Sequence, residues 1–434
     1  MIQPEDEKVA PLRALEPRRR PGGELARLPG APSPKPAPTR LNLLSPEQRA
    51  MGEASRMLGA RLAKHIRGGN TCHVLCDGTQ AYPEMLAAIE GAQTRIFFEI
   101  YIFRNDRWGT RFFDALLGRA RAGVAVYIIY DAFGAGEAED LFVQLRGAGA
   151  NVRVYNPFRW SEKFARLNRR NHRKILVVDG QVGFLGGLNV GNEYHDPGTD
   201  KPFRDTQLSV RGPMVRQLED AFIELWEHES GERLRRTRPP RPGAAALRPA
   251  PGQGLGLIIA KTPLRGRYLL KAAHHGVLRN AARRIWIANA YFVPTRRIRN
   301  ALLRAARRGT DVRLLLPGPT DAPLVRWASR AQYTRLLSAG IRIFEYRARM
   351  LHSKTILVDE DWLMVGSTNL DHRSFNWNLE VQAVVKDQAA AAELEAAWQA
   401  DLECAEEILL EEWRGRSWWE KLLNRFAYLM HRWM

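Results

Sequence analysis

The chain has 434 residues, is 45% hydrophobic and carries a formal charge of +19, which is enough length for two domains with substantial cores. No run approaches the roughly 18 apolar residues a membrane span needs, the N-terminus lacks a signal-peptide apolar core, and Cys72, Cys76 and Cys404 suit neither a disulfide framework nor a zinc cluster. The positive excess calls for a polyanionic partner, either nucleic acid or an anionic lipid surface.

Residues 1–44 are rich in Pro and Arg without apolar periodicity and read as a disordered basic tail. A first domain is expected over 45–234. Its segment Arg95–Ile102 reads as a buried strand, followed by a basic amphipathic helix, an apolar strand within Ala120–Tyr130, and a helix ending near Gly149. Between Pro157 and Arg170, Trp160, Phe164 and Leu167 recur at helical spacing beside Lys163, Arg166 and Arg170. That segment reads as lipid-facing, as a nucleic-acid patch, or as a docked helix.

Residues 235–256, dense in Pro, Arg and Ala, read as a linker. A second domain, 257–404, then repeats the order of the first: Arg284–Tyr291 corresponds to Arg95–Ile102, and Ala306–Leu316 to Ala120–Tyr130. Strands alternating with helices predict an α/β sandwich in each half. Thr320–Leu337, with Arg326, Trp327 and Arg330, reads either as a lipid-facing rim or as packing. In the segment 405–434, Trp419, Leu422, Phe426, Leu429 and Trp433 recur at helical spacing with Lys421, Arg425 and Arg432, as in an interfacial helix or one docked on the body.

One pattern occurs twice and complete. The first copy runs through His172, Lys174, Asp179, Gly186, Gly187 and Asn189, the second through His352, Lys354, Asp359, Gly366, Ser367 and Asn369. In an extended segment, residues two apart project to one face, so each imidazole and its lysine point to the same place. Asp179 precedes Gly180 at a tight turn between two strands, so Asp179 and Asp359 are read as orienting the turn or the lysine, with direct proton transfer as the alternative. The small residues permit close backbone approach, and Lys174, Lys354, Asn189 and Asn369 together form a clamp for one phosphate.

These motifs resemble the signature of the phospholipase D superfamily. The texture of Asp77-Gly78 with Tyr82-Pro83, of Ile287–Phe292, of Ile343–Tyr346 and of Gly366–Asp371 is similar to the bacterial cardiolipin synthases, in the form without an N-terminal membrane anchor. The resemblance implies two phospholipase D-like α/β sandwich domains, packed as a pseudo-twofold bilobal monomer around one active site. It places His172, Lys174, Asp179, His352, Lys354 and Asp359 in the catalytic set, with His172 as nucleophile and His352 as acid. It also assigns ring-orienting roles to Asp205, opposite His352, and to Glu380, opposite His172; ordinary ion pairing is the alternative.

The chemistry required is exchange of alcohols on a phosphodiester through a phosphohistidine, which calls for no metal or other cofactor. The implied activity is cardiolipin synthesis from phosphatidylglycerol on an anionic membrane, peripheral and on the cytoplasmic side of a bacterial cell membrane, with no nucleic-acid partner expected. Trp160, Phe164, Trp419, Phe426 and Trp433 are the candidate membrane contacts. The alternatives are a phospholipase D-type hydrolase or other transphosphatidylase, and a nucleic-acid phosphodiesterase.

Overall fold

The computed structural model describes residues 46–157, 169–195, 199, 202–237, 254–263 and 266–430. The basic tail, most of the linker, and Trp160, Phe164 and Trp433 lie outside the described residues.

In chain order, the strands of the first half are β1 (Arg67–Cys76), β2 (Arg95–Ile100), β3 (Ala125–Asp131), β4 (Asn151–Tyr155), β5 (Ile175–Val178), β6 (Val182–Gly186), the two-residue β7 (Phe203–Arg204) and β8 (Thr206–Arg211). Those of the second are β9 (Gly254–Ala260), β10 (Arg284–Asn289), β11 (Asp311–Pro317), β12 (Arg342–Tyr346), the two-residue β13 (Met350–Leu351), β14 (Lys354–Val358), β15 (Trp362–Gly366), β16 (Val381–Lys386) and β17 (Ala405–Glu407).

Among the described residues, fifteen strands form one sheet in the order β17-β12-β11-β10-β14-β15-β16-β9-β1-β8-β6-β5-β2-β3-β4. Read outward from the β9/β1 joint, the two sides carry equivalent strands in the same order, β17 being an addition at one edge. The duplication seen in sequence is therefore a mirrored strand order about a central antiparallel pair. Within each half the outer strands are parallel, β2 with β3 and β3 with β4, β10 with β11 and β11 with β12. Helices Arg107–Arg121 and Arg296–Arg307 are the first crossovers between them. Strands with helices on both faces need apolar residues on both faces, and β2, Arg-Ile-Phe-Phe-Glu-Ile, is almost wholly buried.

The halves share a core. Helices Met214–Ser230 and Gln388–Glu403 contribute Phe222, Trp226, Leu394 and Trp398 to one apolar cluster containing residues of strands from both sides. Each half also has its own outer cluster, built around Tyr82, Phe112 and Phe142 in the first and around Leu302, Leu314 and Tyr333 in the second. One boundary differs from the expectation. Ala54, Met57, Leu58, Leu62 and Ile66, read as opening the first half, pack in the outer core of the second. The chain reaches β1 at the joint beside β9, so the segment before it lies against the second half's helices.

Inside the first motif, Arg173 points away from the faces of His172 and Lys174. It is fully buried, and its Nε and Nη2 pair with Glu99 Oε1 and Oε2 at 2.6 and 2.7 Å. Removing one partner of such a pair leaves an uncompensated buried charge. Glu99→Gln is expected to lower unfolding free energy by about 3–5 kcal/mol, measured by urea denaturation, and the double variant Glu99→Leu with Arg173→Met to recover most of it.

Candidate active site

The histidines sit where the two halves exchange backbone hydrogen bonds. His172 N–H donates to the carbonyl of Leu379 at 3.0 Å, and Leu379 N–H donates back to Arg170 at 2.9 Å. In the other copy, β13 pairs in parallel with β7, and His352 N–H donates to Arg204 at 2.7 Å. Leu379 and Arg204 directly precede Glu380 and Asp205. Each histidine is thus tied by its own backbone to the residue before a carboxylate of the opposite half. Ahead of β5, which begins at Ile175, Asn171 forms a parallel bridge to Leu379 of the other half.

The side chains complete the crossing. His172 Nδ1 lies 3.1 Å from Glu380 Oε2, and His352 Nδ1 lies 2.6 Å from Asp205 Oδ2. With Nδ1 engaged, Nε2 is the ring atom left for chemistry. Ser367 Oγ donates to Glu380 Oε2, and Asp205 Oδ1 accepts from Thr206 N–H at 2.7 Å. Gly187 is required here: a Cβ on it would lie 2.1 Å from Asp205 Oδ1. Lys174 Nζ donates to the His172 carbonyl at 2.8 Å, and Lys354 Nζ donates to the His352 carbonyl. Both ammoniums are thereby held on the histidine side of the strands.

Burial of this many ionisable groups sets their charges. Burial pushes the His172 imidazole down to about 4, with Lys174 adding to the effect and Glu380 opposing it. His352 is lowered by burial and then by Lys354, against Asp205. Lys354 falls to about 8 through burial, and Lys174 falls well below its ordinary value through burial and the Lys354 charge. Burial alone would raise the two carboxylates, yet Lys354 and His352 hold Asp205 down, and His172 and Ser367 hold Glu380 down. The resting site thus holds carboxylates whose anionic form is favoured beside imidazoles and lysines whose charged forms burial disfavours, a balance that a phosphodiester anion would shift toward the cations.

Aromatic rings that the motif did not announce complete the walls. Tyr101 meets His172 edge-on at 5.1 Å and lies 4.9 Å from Lys174 Nζ, while Phe203 stacks on His352 at 5.4 Å. Tyr291, which donates to Asp321, stands 6.4 Å from His352. Tyr101 and Tyr291 belong to the repeated strand segments, but alternation of apolar residues reports only burial. Asp131, at the end of β3, is another residue without a sequence signal; its Oδ2 accepts from Asn171 N–H at 2.8 Å and fixes the approach to His172.

The asparagines diverge from the expected clamp. Asn189 Oδ1 accepts from Ile102 N–H at 3.0 Å and its Nδ2 donates to Tyr194 Oη at 2.7 Å, so it braces the first half. Asn369 Oδ1 is buried with no hydrogen-bond partner among the described residues. Outside the site, Trp419 and Phe426 are exposed on helix Trp418–Leu429. Arg326 and Arg330 are drawn inward to the fully buried Glu345, and Trp327 packs against the cluster of Val293, Ala328 and Ala427, so the 320–337 region is largely packing. Among the described residues no group of His, Cys, Asp and Glu could hold a metal ion, and no helix is long and apolar enough to cross a membrane.

Comparison with known proteins places this geometry. The family described as "Cardiolipin synthase, PLD-like domain" matches residues 85–226 and 276–402. A cardiolipin synthase of Alkalihalophilus pseudofirmus is 36% identical over 378 residues, covering 86% of this chain and 74% of the relative. Another, of Geobacillus thermodenitrificans, is 38% identical over 356 residues, covering 80% and 69%. In fold, the chain is similar to the crystal structure of phosphatidylserine synthase of Haemophilus influenzae Rd KW20, with a TM-score of 0.64 at 14% identity, covering 84% of this chain and 95% of that one.

The motif aspartates, placed with the catalytic set by resemblance, stand away from the histidines at the far ends of their strands. Asp179 accepts from the N–H groups of Gln93, Thr94 and Arg95, each at 2.8 Å, and from Thr94 Oγ1 at 2.7 Å. Asp359 does the same for Ala282, Arg283 and Arg284, with distances from 2.7 to 3.2 Å. Both adopt positive φ, 52° and 51°, at the turn. The physical reason is strand length: five residues of extended chain carry the carboxylate to the opposite end of the strand from the site. Burial would raise the Asp179 pKa, but the N–H donors outweigh it and hold it below its ordinary value. Such a carboxylate adds stability that is fully present above its unfolded pKa near ~4 and is lost as pH falls through the lower folded value. Asp179→Ala is expected to cost roughly 2–4 kcal/mol at neutral pH and to flatten the melting temperature between pH 5 and pH 3, whereas wild type declines there, as followed by circular dichroism.

Proposed function

This chain belongs to the cardiolipin synthase family of phospholipase D-like proteins, and on that footing we propose that it transfers a phosphatidyl group from phosphatidylglycerol to a hydroxyl of a second phospholipid, releasing glycerol and forming cardiolipin. The observation that carries the reading is the crossed pairing, in which each buried histidine meets a carboxylate of the other half.

His172 Nε2 attacks phosphorus; the P–N bond forms as the bond to glycerol oxygen breaks, and His352 delivers a proton to that oxygen. His352, now neutral, removes the proton from the acceptor hydroxyl, which attacks phosphorus as the P–N bond breaks. Lys174, Lys354 and the uncommitted Asn369 stabilise the phosphoryl oxygens. The phosphate charge also offsets the lysines' effect on His352, raising its pKa toward the range an acid requires. Glu380 stabilises the positive charge that His172 gains on attack, and Asp205 does so when His352 is protonated. The exposed apolar helix Trp418–Leu429 and the +19 charge support work at the surface of an anionic membrane, and the proposal places it on the cytoplasmic face of a bacterial cell.

The test uses purified protein with labelled phosphatidylglycerol in liposomes, following diphosphatidylglycerol, glycerol and phosphatidic acid together. Diphosphatidylglycerol and glycerol are expected in equal amounts, with an acid-labile label on protein that His172→Ala abolishes. Phosphatidic acid as the sole lipid product would replace the transferase with a hydrolase, and cleavage of single-stranded DNA without lipid turnover would indicate a nuclease. Because free Lys354 sits at about 8, its ammonium is lost as pH rises through that value. In the kinetics, kcat/KM should decline above about pH 8 and kcat only at higher pH, where bound phosphate retains the proton; a decline in Lys354→Arg at the same pH would reject this assignment.

A further inference from the structure

Helix Trp418–Leu429 is attached to the second half by one narrow face and leaves the other bare. Ala427 joins Val293 and Ala328 in a small apolar cluster, and Asn424 is buried. Trp418, Trp419, Leu422, Leu423, Phe426 and Leu429 are exposed, from 39% to 73%. Their spacing at three and four residues makes a continuous apolar stripe that the described residues do not cover. The sequence left a choice between an interfacial helix and a docked one; the fold docks it by one face and leaves its apolar side exposed.

Beneath this helix lies a cavity of about 460 Å³, lined by six arginines and Lys421, with no carboxylate among its described lining residues. One of these cations is neutralised from behind: Arg330 pairs with buried Glu345. Others are not. Arg299 is 7% exposed and uses Nη1 on Gln332 and Tyr428, while its Nε is buried without a hydrogen-bond partner among the described residues. Arg416 lies over the Trp413 ring, its Nε donating to the Trp413 carbonyl at 2.9 Å and its Nη1 buried without a hydrogen-bond partner among the described residues. A cavity lined by several guanidiniums and an ammonium, with no carboxylate among its described lining residues, concentrates positive charge, and a tetrahedral anion with several oxygens can accept from more than one of these cations at once.

We propose that this cavity is a second phosphate site, separate from the histidine site, which takes the headgroup phosphate of an anionic phospholipid while the stripe of helix Trp418–Leu429 lies in the acyl boundary of the same leaflet. The combination selects a bilayer over a free anion. The cations open beside an uncovered Trp and Leu surface, and Lys421 and Arg425 sit on the helix itself at the level where headgroups would stand. The inference goes beyond the catalytic reading, because the cavity contains neither a motif residue nor an orienting carboxylate.

The test uses full-length His172→Ala protein, which cannot consume the probe, in flotation with phosphatidylcholine vesicles with and without phosphatidylglycerol. Arg335→Gln with Arg425→Gln, both at exposed positions, should weaken binding to phosphatidylglycerol vesicles roughly 10–30-fold at about 1 kcal/mol per basic residue. Arg119→Gln with Arg121→Gln, the same charge change on the first half, should have little effect. Trp418→Ala with Trp419→Ala should weaken binding to both kinds of vesicle. Equal losses in the two arginine pairs, or none in either, would overturn the pocket. Inorganic phosphate raising the melting temperature of wild type but not of Arg335→Gln/Arg425→Gln, with vesicle binding unchanged, would make it a free-phosphate site and overturn the lipid assignment. Turnover of detergent-dispersed phosphatidylglycerol by Arg335→Gln/Arg425→Gln with His172 intact keeps the two readings apart: a rate matching wild type is expected of a pocket separate from the histidine site, and loss of turnover in detergent would overturn that separation.

Discussion

Everything in the candidate active site depends on the reciprocal hydrogen bonds from His172 N–H to Leu379 and from His352 N–H to Arg204. A side-chain pair across an interface can be lost to rotamer change, whereas a backbone bond one residue away from each carboxylate sets its position before the side chain is placed. Neither half can hold its histidine in register alone. The central β1/β9 pair and the shared core of Trp226 and Trp398 make the halves rigid enough for this exchange.

Buried charge is arranged around that constraint with a consistent logic. Each histidine has an anionic partner on one ring nitrogen, and each lysine is anchored to a carbonyl of its own motif. The lysines repel each other and depress both imidazoles. The site therefore favours an anion such as a phosphoryl group.

The two copies of the unit are no longer equivalent. Gly187 makes room for the short Asp205, whereas Ser367 supplies a hydroxyl to the longer Glu380. Arg173 is locked to Glu99 in the first half, and its counterpart Ser353 reaches Thr206 at 2.9 Å. Asn189 is committed to the scaffold and Asn369 is not. A duplicated sequence thus produces two chemically distinct sides.

The sequence by itself determined the duplication, the alternation that turns His172 and Lys174 to one face, the apolar strands on either side, and the amphipathic C-terminus, because these are local or periodic properties that a chain displays before it folds. Asp179 and Asp359 were legible as turn residues for the same reason. The resemblance supplied the pairing of Asp205 with His352 and Glu380 with His172; no spacing could, since residues 147 and 208 positions apart are joined only by the crossing of the halves. Only the tertiary structure decided that Asn189 is a brace, that Tyr101, Phe203 and Asp131 shape the site, that residues 54–66 pack on the second half, and that the last helix presents its apolar stripe outward. Those outcomes depend on which surfaces remain uncovered and which hydrogen-bonding groups remain unpaired after packing, quantities that exist only once distant segments have met.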